Sequence, residues 1–134
     1  MEQAVKFLGK VDDELLTHSY AAADVLLFPL VETVGDVEGF GLVAIEAAAC
    51  GTPTVAFAVG GVTDAISEGV SGHLVAPGDY DAFRESVISV LNAPRRPQLA
   101  IDFAEGFAWE HYHKRLQDIL VANVSGAAPH LSEG

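Results

Sequence analysis

The chain has 134 residues, half of them hydrophobic, with 7 Lys and Arg against 19 Asp and Glu, a formal net charge of −12. That length fits one small domain able to bury a core, and the acidic excess repels nucleic acid and anionic lipid, both of which attract basic patches. Cys50 is the only cysteine, so no internal disulfide is expected and a reducing cytoplasm suits the chain; no apolar run reaches the ~18 residues of a membrane span, and the start does not read as a signal peptide.

In chain order, "VKFLG" (5–9) reads as a short buried strand. "VDDELLTHSYAAA" follows, with Asp12 or Asp13 as N-cap and apolar residues at helical spacing. "DVLLFP" (24–29), "TPTVAF" (52–57) and "GHLV" (72–75) read as three more strands. Helices are expected over about 40–50, 62–68, 79–92, 97–105 and 109–123. Strands that are apolar throughout and alternate with helices predict a Rossmann-like α/β fold, a parallel sheet with helices on both faces. Four strands fall short of the usual five or six, so the sheet reads as truncated at its N-terminal side. The tail 125–134 is expected to be disordered.

Several residues carry a bland reading. Cys50, between Ala49 and Gly51, is expected to be a small buried filler, since no base accompanies it as a nucleophile would need. Arg95 and Arg96 in "NAPRRPQ" read as surface, with an anion contact as the alternative. His18, His73, His111, His113 and His130 lack the spacing of metal ligands and are expected to be structural or exposed; no metal is expected. Phe103, Phe107 and Trp109 are expected to pack on the sheet. Gly60-Gly61 is either a tight turn or a close approach to ligand.

The informative stretch is "EGFGLVAIEAAACG" (38–51). Its loop leaves the carboxyl end of a strand, where open α/β sheets bind ligands. Gly39 and Gly41 allow close backbone approach, and the first amides of the following helix, near Gly41, Leu42 and Val43, suit a phosphate. Glu38 and Glu46 would lie about 12 Å apart along the axis if every intervening residue were helical. Carboxylates that hydrolyse a glycosidic bond stand about 5 to 9.5 Å apart, so the pair fits hydrolysis poorly. It fits the two ends of an extended ligand whose anionic centre rests on the helix. The competing reading makes Glu38 a first-turn acid and Glu46 an exposed helix residue. Against that, Glu46 is the one charge in an apolar helix, costly unless it meets a partner.

"EGFGLVAIEAAACGTPTVAFAVGG" resembles the E-x7-E signature of retaining GT-B glycosyltransferases, family 4. "FLGKVDDELLTHSYAAADVLLFP" is similar to the segment before that signature, and "GVSGHLVAPGDYDAF" to the segment after it. The resemblance covers about residues 5 to 120, with glutamates, glycines, "EAAACGTP" and "GG" all in order. It implies that residues 1–124 form the donor-binding half of a transferase that moves a hexosyl group, with retention, from a nucleotide-diphosphate sugar such as a UDP-, GDP- or ADP-sugar. By that resemblance Glu38 contacts the donor sugar nearest the reacting carbon. Backbone amides of Gly39, Phe40, Gly41, Leu42 and Val43 hold the sugar and diphosphate, Glu46 takes the ribose hydroxyls, and Val11 lies near the base. No cofactor is implied.

The resemblance also implies two further strands and a Gly-Arg…Lys segment ahead of "VKFLG", and an N-terminal domain for an acceptor saccharide, lipid or small molecule. Lys6 and Lys10 are the only lysines before Lys114 and neither matches that motif, so the chain by itself is expected to be inactive. Asp64 in "GGVTDAI" stands where the family usually has Glu, which leaves its role open. A cytoplasmic protein is implied, peripheral at the inner membrane face in its full-length form. Two alternatives differ in class. One is a nucleotide-sugar 2-epimerase. The other is a non-catalytic assembly module, a homodimer through sheet edges left exposed.

Overall fold

Asp12 begins the first helix, α1 (Asp13–Ala22), where its Oδ1 accepts the Leu15 N–H at 2.8 Å. Asp13 and Glu14 occupy the first turn, where the helix dipole favours acids. The computed structural model in which this is seen describes residues 4–31, 40–108 and 110–111. Three strands follow, β1 (Leu26–Phe28), β2 (Thr54–Phe57) and β3 (Gly72–Val75), in one parallel sheet of order β1-β2-β3. Leu26 pairs with Thr54, and Thr54 with Gly72. All four residues of β2 are buried. Because successive side chains point to opposite faces, this central strand is covered on both sides.

Between the strands run α2 (Leu42–Ala49) and α3 (Val62–Ala65), and after them α4 (Tyr80–Asn92) and α5 (Pro97–Glu105). The core is Val55, Ala56 and Phe57 of β2 with Ala44 of α2, Val62 and Ala65 of α3, and Phe83 of α4. Phe57 anchors α4: its ring lies 5.1 Å from that of Phe83 and 5.2 Å, edge-on, from that of Tyr80. Asp79 caps α4 through the Ala82 N–H at 2.9 Å. The sheet's far edge is closed by Glu68, whose Oε2 accepts the Leu74 N–H at 2.8 Å while Oε1 meets His73 Nδ1 at 2.6 Å. No helix among the described residues is long and apolar enough to cross a membrane.

The α/β reading and three of the four strands hold. The fourth, "VKFLG", does not form: residues 5–9 are exposed, Phe7 at 93%. A strand exists by pairing, and among the described residues nothing pairs with this segment or with the outer edge of β1. The helix expected over 62–68 stops at Ala65, because Ile66 is extended and the chain turns at Gly69 (φ 70°) into β3. Phe103 and Phe107 do not pack on the sheet. α5 lies against α2, with Ala100 and Ala104 on Ala48, and the two rings contact one another at 5.2 Å. Gly51 permits that docking, having φ 77° and only 2.7 Å between a would-be Cβ and Pro97 Cβ. Trp109 and the tail 125–134 lie outside the described residues, as does the helix expected over 109–123 apart from residues 110 and 111.

Candidate functional site

The helix of the central stretch begins later than its sequence suggests. Gly41 is the N-cap, at φ 72° and ψ 42°, and helical geometry starts at Leu42. The all-helical condition behind the 12 Å separation is therefore not met, since at least Phe40 and Gly41 precede the helix. Glu38 and Gly39 lie outside the described residues. Gly41 itself is buried, and a Cβ there would approach Val62 Cγ2 to 3.3 Å. Two constraints, the left-handed backbone and the contact with α3, thus require glycine at this point.

The eight residues of α2 divide cleanly. Ala44, Ala47 and Ala48 are buried; Leu42, Val43, Glu46 and Ala49 are exposed. Those four positions follow helical spacing, so Glu46 shares one solvent-facing stripe with the helix's first two residues. It stands one turn, about 6 Å, along the axis from Leu42. Gly41 offers no side-chain cap and no acid occupies the first turn, so the amino-terminal dipole faces outward uncompensated by its own helix. Phe40, just before, sets its ring 5.5 Å from that of Phe107.

Glu46 is exposed, not buried, and its partner is Tyr20 of α1, whose hydroxyl donates to Oε2 at 3.1 Å. Burial first, and then the hydrogen bond and the charge of Glu46, raise the Tyr20 phenol from 10.0 to about 12. The phenol therefore stays protonated, and a donor, at neutral pH. Cys50, one turn beyond Glu46, has its thiol pushed up by burial and by the same carboxylate. Cys50 is half-buried rather than buried as expected, and a suppressed thiolate favours the filler role over a nucleophile. Val11 is half-buried just ahead of the Asp12 cap.

At the carboxyl ends of the strands lies an open hollow of about 380 Å³, bounded by Leu30 and Val31 after β1, Val59 and Gly60 after β2, and Gly78 and Tyr80 after β3. Gly60 turns the chain at φ 48°, and its carbonyl accepts the Thr63 hydroxyl at 3.1 Å. A second hollow, of about 260 Å³, sits at the opposite, amino ends and includes Arg95 and Arg96. Arg95 there donates to the Ala23 carbonyl at 3.2 Å and meets Asp24 at 3.6 Å, a surface tether for the α4–α5 linker.

The family model for glycosyl transferases group 1 matches residues 1–106. The chain belongs to that family. It is 42% identical over 134 residues to a D-inositol 3-phosphate glycosyltransferase of Geodermatophilus obscurus, and 39% identical over 127 residues to one of Mycolicibacterium smegmatis. Those alignments take in 96% and 92% of this chain and 27% of each relative, so the chain spans about a quarter of their length. Among solved structures, sucrose-phosphate synthase of Thermosynechococcus elongatus superposes with a TM-score of 0.75 at 33% identity, covering 94% of this chain and 31% of that one. Anabaena HepE, in complex with UDP, superposes at 0.67 with 27% identity, covering 90% and 33%.

In this group 1 glycosyltransferase chain, Phe40, Gly41, Leu42, Val43 and Glu46 are brought together at one helix end. Tyr20 is the residue that the sequence reading passed over. The structure singles it out: Leu16, Ser19, Tyr20 and Ala23 are the half-buried positions of α1 and its cap, on one helix face. A phenol on that face is a donor in reach of an isolated carboxylate on the neighbouring helix.

Proposed function

We propose that residues 1–124 are the donor-binding half of a retaining glycosyltransferase that moves a hexosyl group from a nucleotide-diphosphate sugar to an acceptor held elsewhere in the full-length protein. The observation that carries this is the outward stripe of α2, a glycine-opened helix end with one carboxylate a turn inside it. A diphosphate on the amides near Gly41, Leu42 and Val43 would be held by the helix dipole, and the same dipole would stabilise the charge that develops as the diphosphate leaves. By the family resemblance Glu46, about 6 Å further along, would take the ribose hydroxyls and Glu38 the sugar. Relatives named for glycosyl transfer, and a structural neighbour solved with UDP, support this reading. Titration of the chain with UDP, GDP and ADP, followed by ligand-observed NMR, tests it. One nucleotide should bind at millimolar concentration or tighter and be lost on Glu46→Ala; no binding by any of the three would overturn the assignment.

One observation favours assembly as a second reading. The outer edge of β1 is unpaired among the described residues, and Val5, Phe7, Leu8 and Leu27 are all exposed beside or before it. Light scattering across a concentration series should then show a dimer, and a monomer throughout would dismiss it.

A further inference from the structure

Tyr20 is tied to α2 and to the turn that follows it. Its hydroxyl donates to Glu46 Oε2 at 3.1 Å, and its backbone carbonyl accepts the buried Thr52 hydroxyl at 2.5 Å. Thr52 sits in the turn that follows α2 and takes a backbone bond from it, Thr52 N–H to Ala47 O at 2.9 Å. The backbone of Tyr20 is therefore anchored to the turn after α2, and its phenol reaches Glu46 from that anchored position. Glu46, in contrast, is a long exposed side chain with several rotamers available, which a ligand must freeze on binding. Only Oε2 is engaged among the described residues, which leaves Oε1 open to a second donor.

We infer that Tyr20 is a positioning residue for Glu46: it occupies Oε2, fixes the carboxylate's rotamer and turns Oε1 toward the ribose hydroxyls of the donor. This rests on the ribose role given to Glu46 above. The phenol's persistence as a donor keeps the arrangement constant through the neutral range, because ionisation would require a pH near 12. A ligand hydroxyl then meets an acceptor already aligned, and the loss of rotamer freedom is borne in folding instead of in binding.

The test takes whichever of UDP, GDP and ADP binds the parent chain, written here as UDP, and compares it with its 2′,3′-dideoxy analogue on the parent chain and on Tyr20→Phe. The parent should prefer UDP, because only UDP carries the hydroxyls that Glu46 accepts. Tyr20→Phe should weaken UDP by roughly 3- to 10-fold, the range of one hydrogen bond with its ordering. It should leave dideoxy-UDP unchanged, which also shows the variant to be folded. Equal weakening of both ligands, or of neither, overturns the inference while leaving the ribose role of Glu46 intact. A parent chain that does not distinguish the two ligands, or binds neither, removes that role and the inference with it.

Discussion

Replacing Gly41 with alanine probes whether the glycine sets the helix end that the site depends on. Three glycines in left-handed backbone form a graded series. Gly78 (φ 82°) has nothing within 4 Å of a would-be Cβ, so alanine there incurs conformational strain alone, roughly 1–2 kcal/mol. Gly41 (φ 72°) adds contacts of 3.3 Å to Val62 Cγ2 and 3.4 Å to Val62 Cα. The tighter contact is the Val62 side chain, which must give by a few tenths of an ångström, so part of an overpacking penalty of about 1–3 kcal/mol is added, for a total near 2–3 kcal/mol. Gly51 (φ 77°) places the Cβ 2.7 Å from Pro97 Cβ, below any real contact distance, and the expected cost is about 3–5 kcal/mol. Against a whole-domain stability of about 5–15 kcal/mol, urea midpoints should separate the three at unchanged slope. Affinity for UDP should fall with Gly41→Ala and not with Gly69→Ala, a left-handed glycine (φ 70°) that also has nothing within 4 Å of a would-be Cβ and does not line the hollow at the carboxyl ends. If Gly41→Ala cost no more than Gly78→Ala and bound UDP normally, the contact with α3 would not be what holds the helix end.

Tyr20 makes stability fall at high pH in a defined window. Its folded pKa, about 12, lies above the ordinary 10.0, so the folded chain holds that proton more tightly and the contribution is complete below pH 10. It is lost as the pH climbs through 12. Tyr20→Phe should flatten the melting temperature between pH 10 and 12, and an alkaline limb identical to the parent's would contradict this. Glu68 guards the free edge of β3, so Glu68→Ala should cost about 1 kcal/mol and strip hydrogen-exchange protection from the Leu74 amide; undiminished protection would show the edge to be held by something else.

The helices were legible where a residue marks the first turn. Asp12, Asp79 and Pro97 announce α1, α4 and α5 because capping is a local interaction. β1, β2 and β3 were legible because continuous apolar runs between helices admit few other homes. "VKFLG" has the same composition and is not a strand, since pairing is decided by what lies alongside and not by the five residues themselves. The site divides in the same way. That a helix starts near residue 40 could be read from its neighbours, though not that Gly41 holds it back to Leu42; Tyr20 is 26 residues from Glu46, and a hydrogen bond at that separation depends on how α1 docks on α2. The assignment of Phe103 and Phe107 to the sheet failed for a related reason: periodicity tells that a face is buried, not which neighbour buries it.

The charge distribution leads to a last expectation, about salt. A diphosphate is ordinarily met by lysine and arginine, and its binding then weakens as salt is added. Here the chain carries a net −12. Among the described residues Arg84 stands near Asp81 at 3.7 Å, and Arg95 and Arg96 line the hollow at the amino ends of the strands, away from α2's first turn. Lys6 and Lys10 lie in the exposed segment before α1. For the diphosphate proposed above, the attraction among the described residues is then the helix end, a short-range partial charge, while the repulsion comes from the whole surface and is long-ranged. Screening discriminates between them, since the Debye length contracts from about 30 Å at 0.01 M to about 10 Å at 0.1 M salt. The contact at the amides survives and the repulsion does not, so affinity for UDP should rise, or at least hold, across that range. A steep fall would mean that a cation this chain keeps near Gly41 shares the phosphate load, and the helix end would no longer be its principal anion contact.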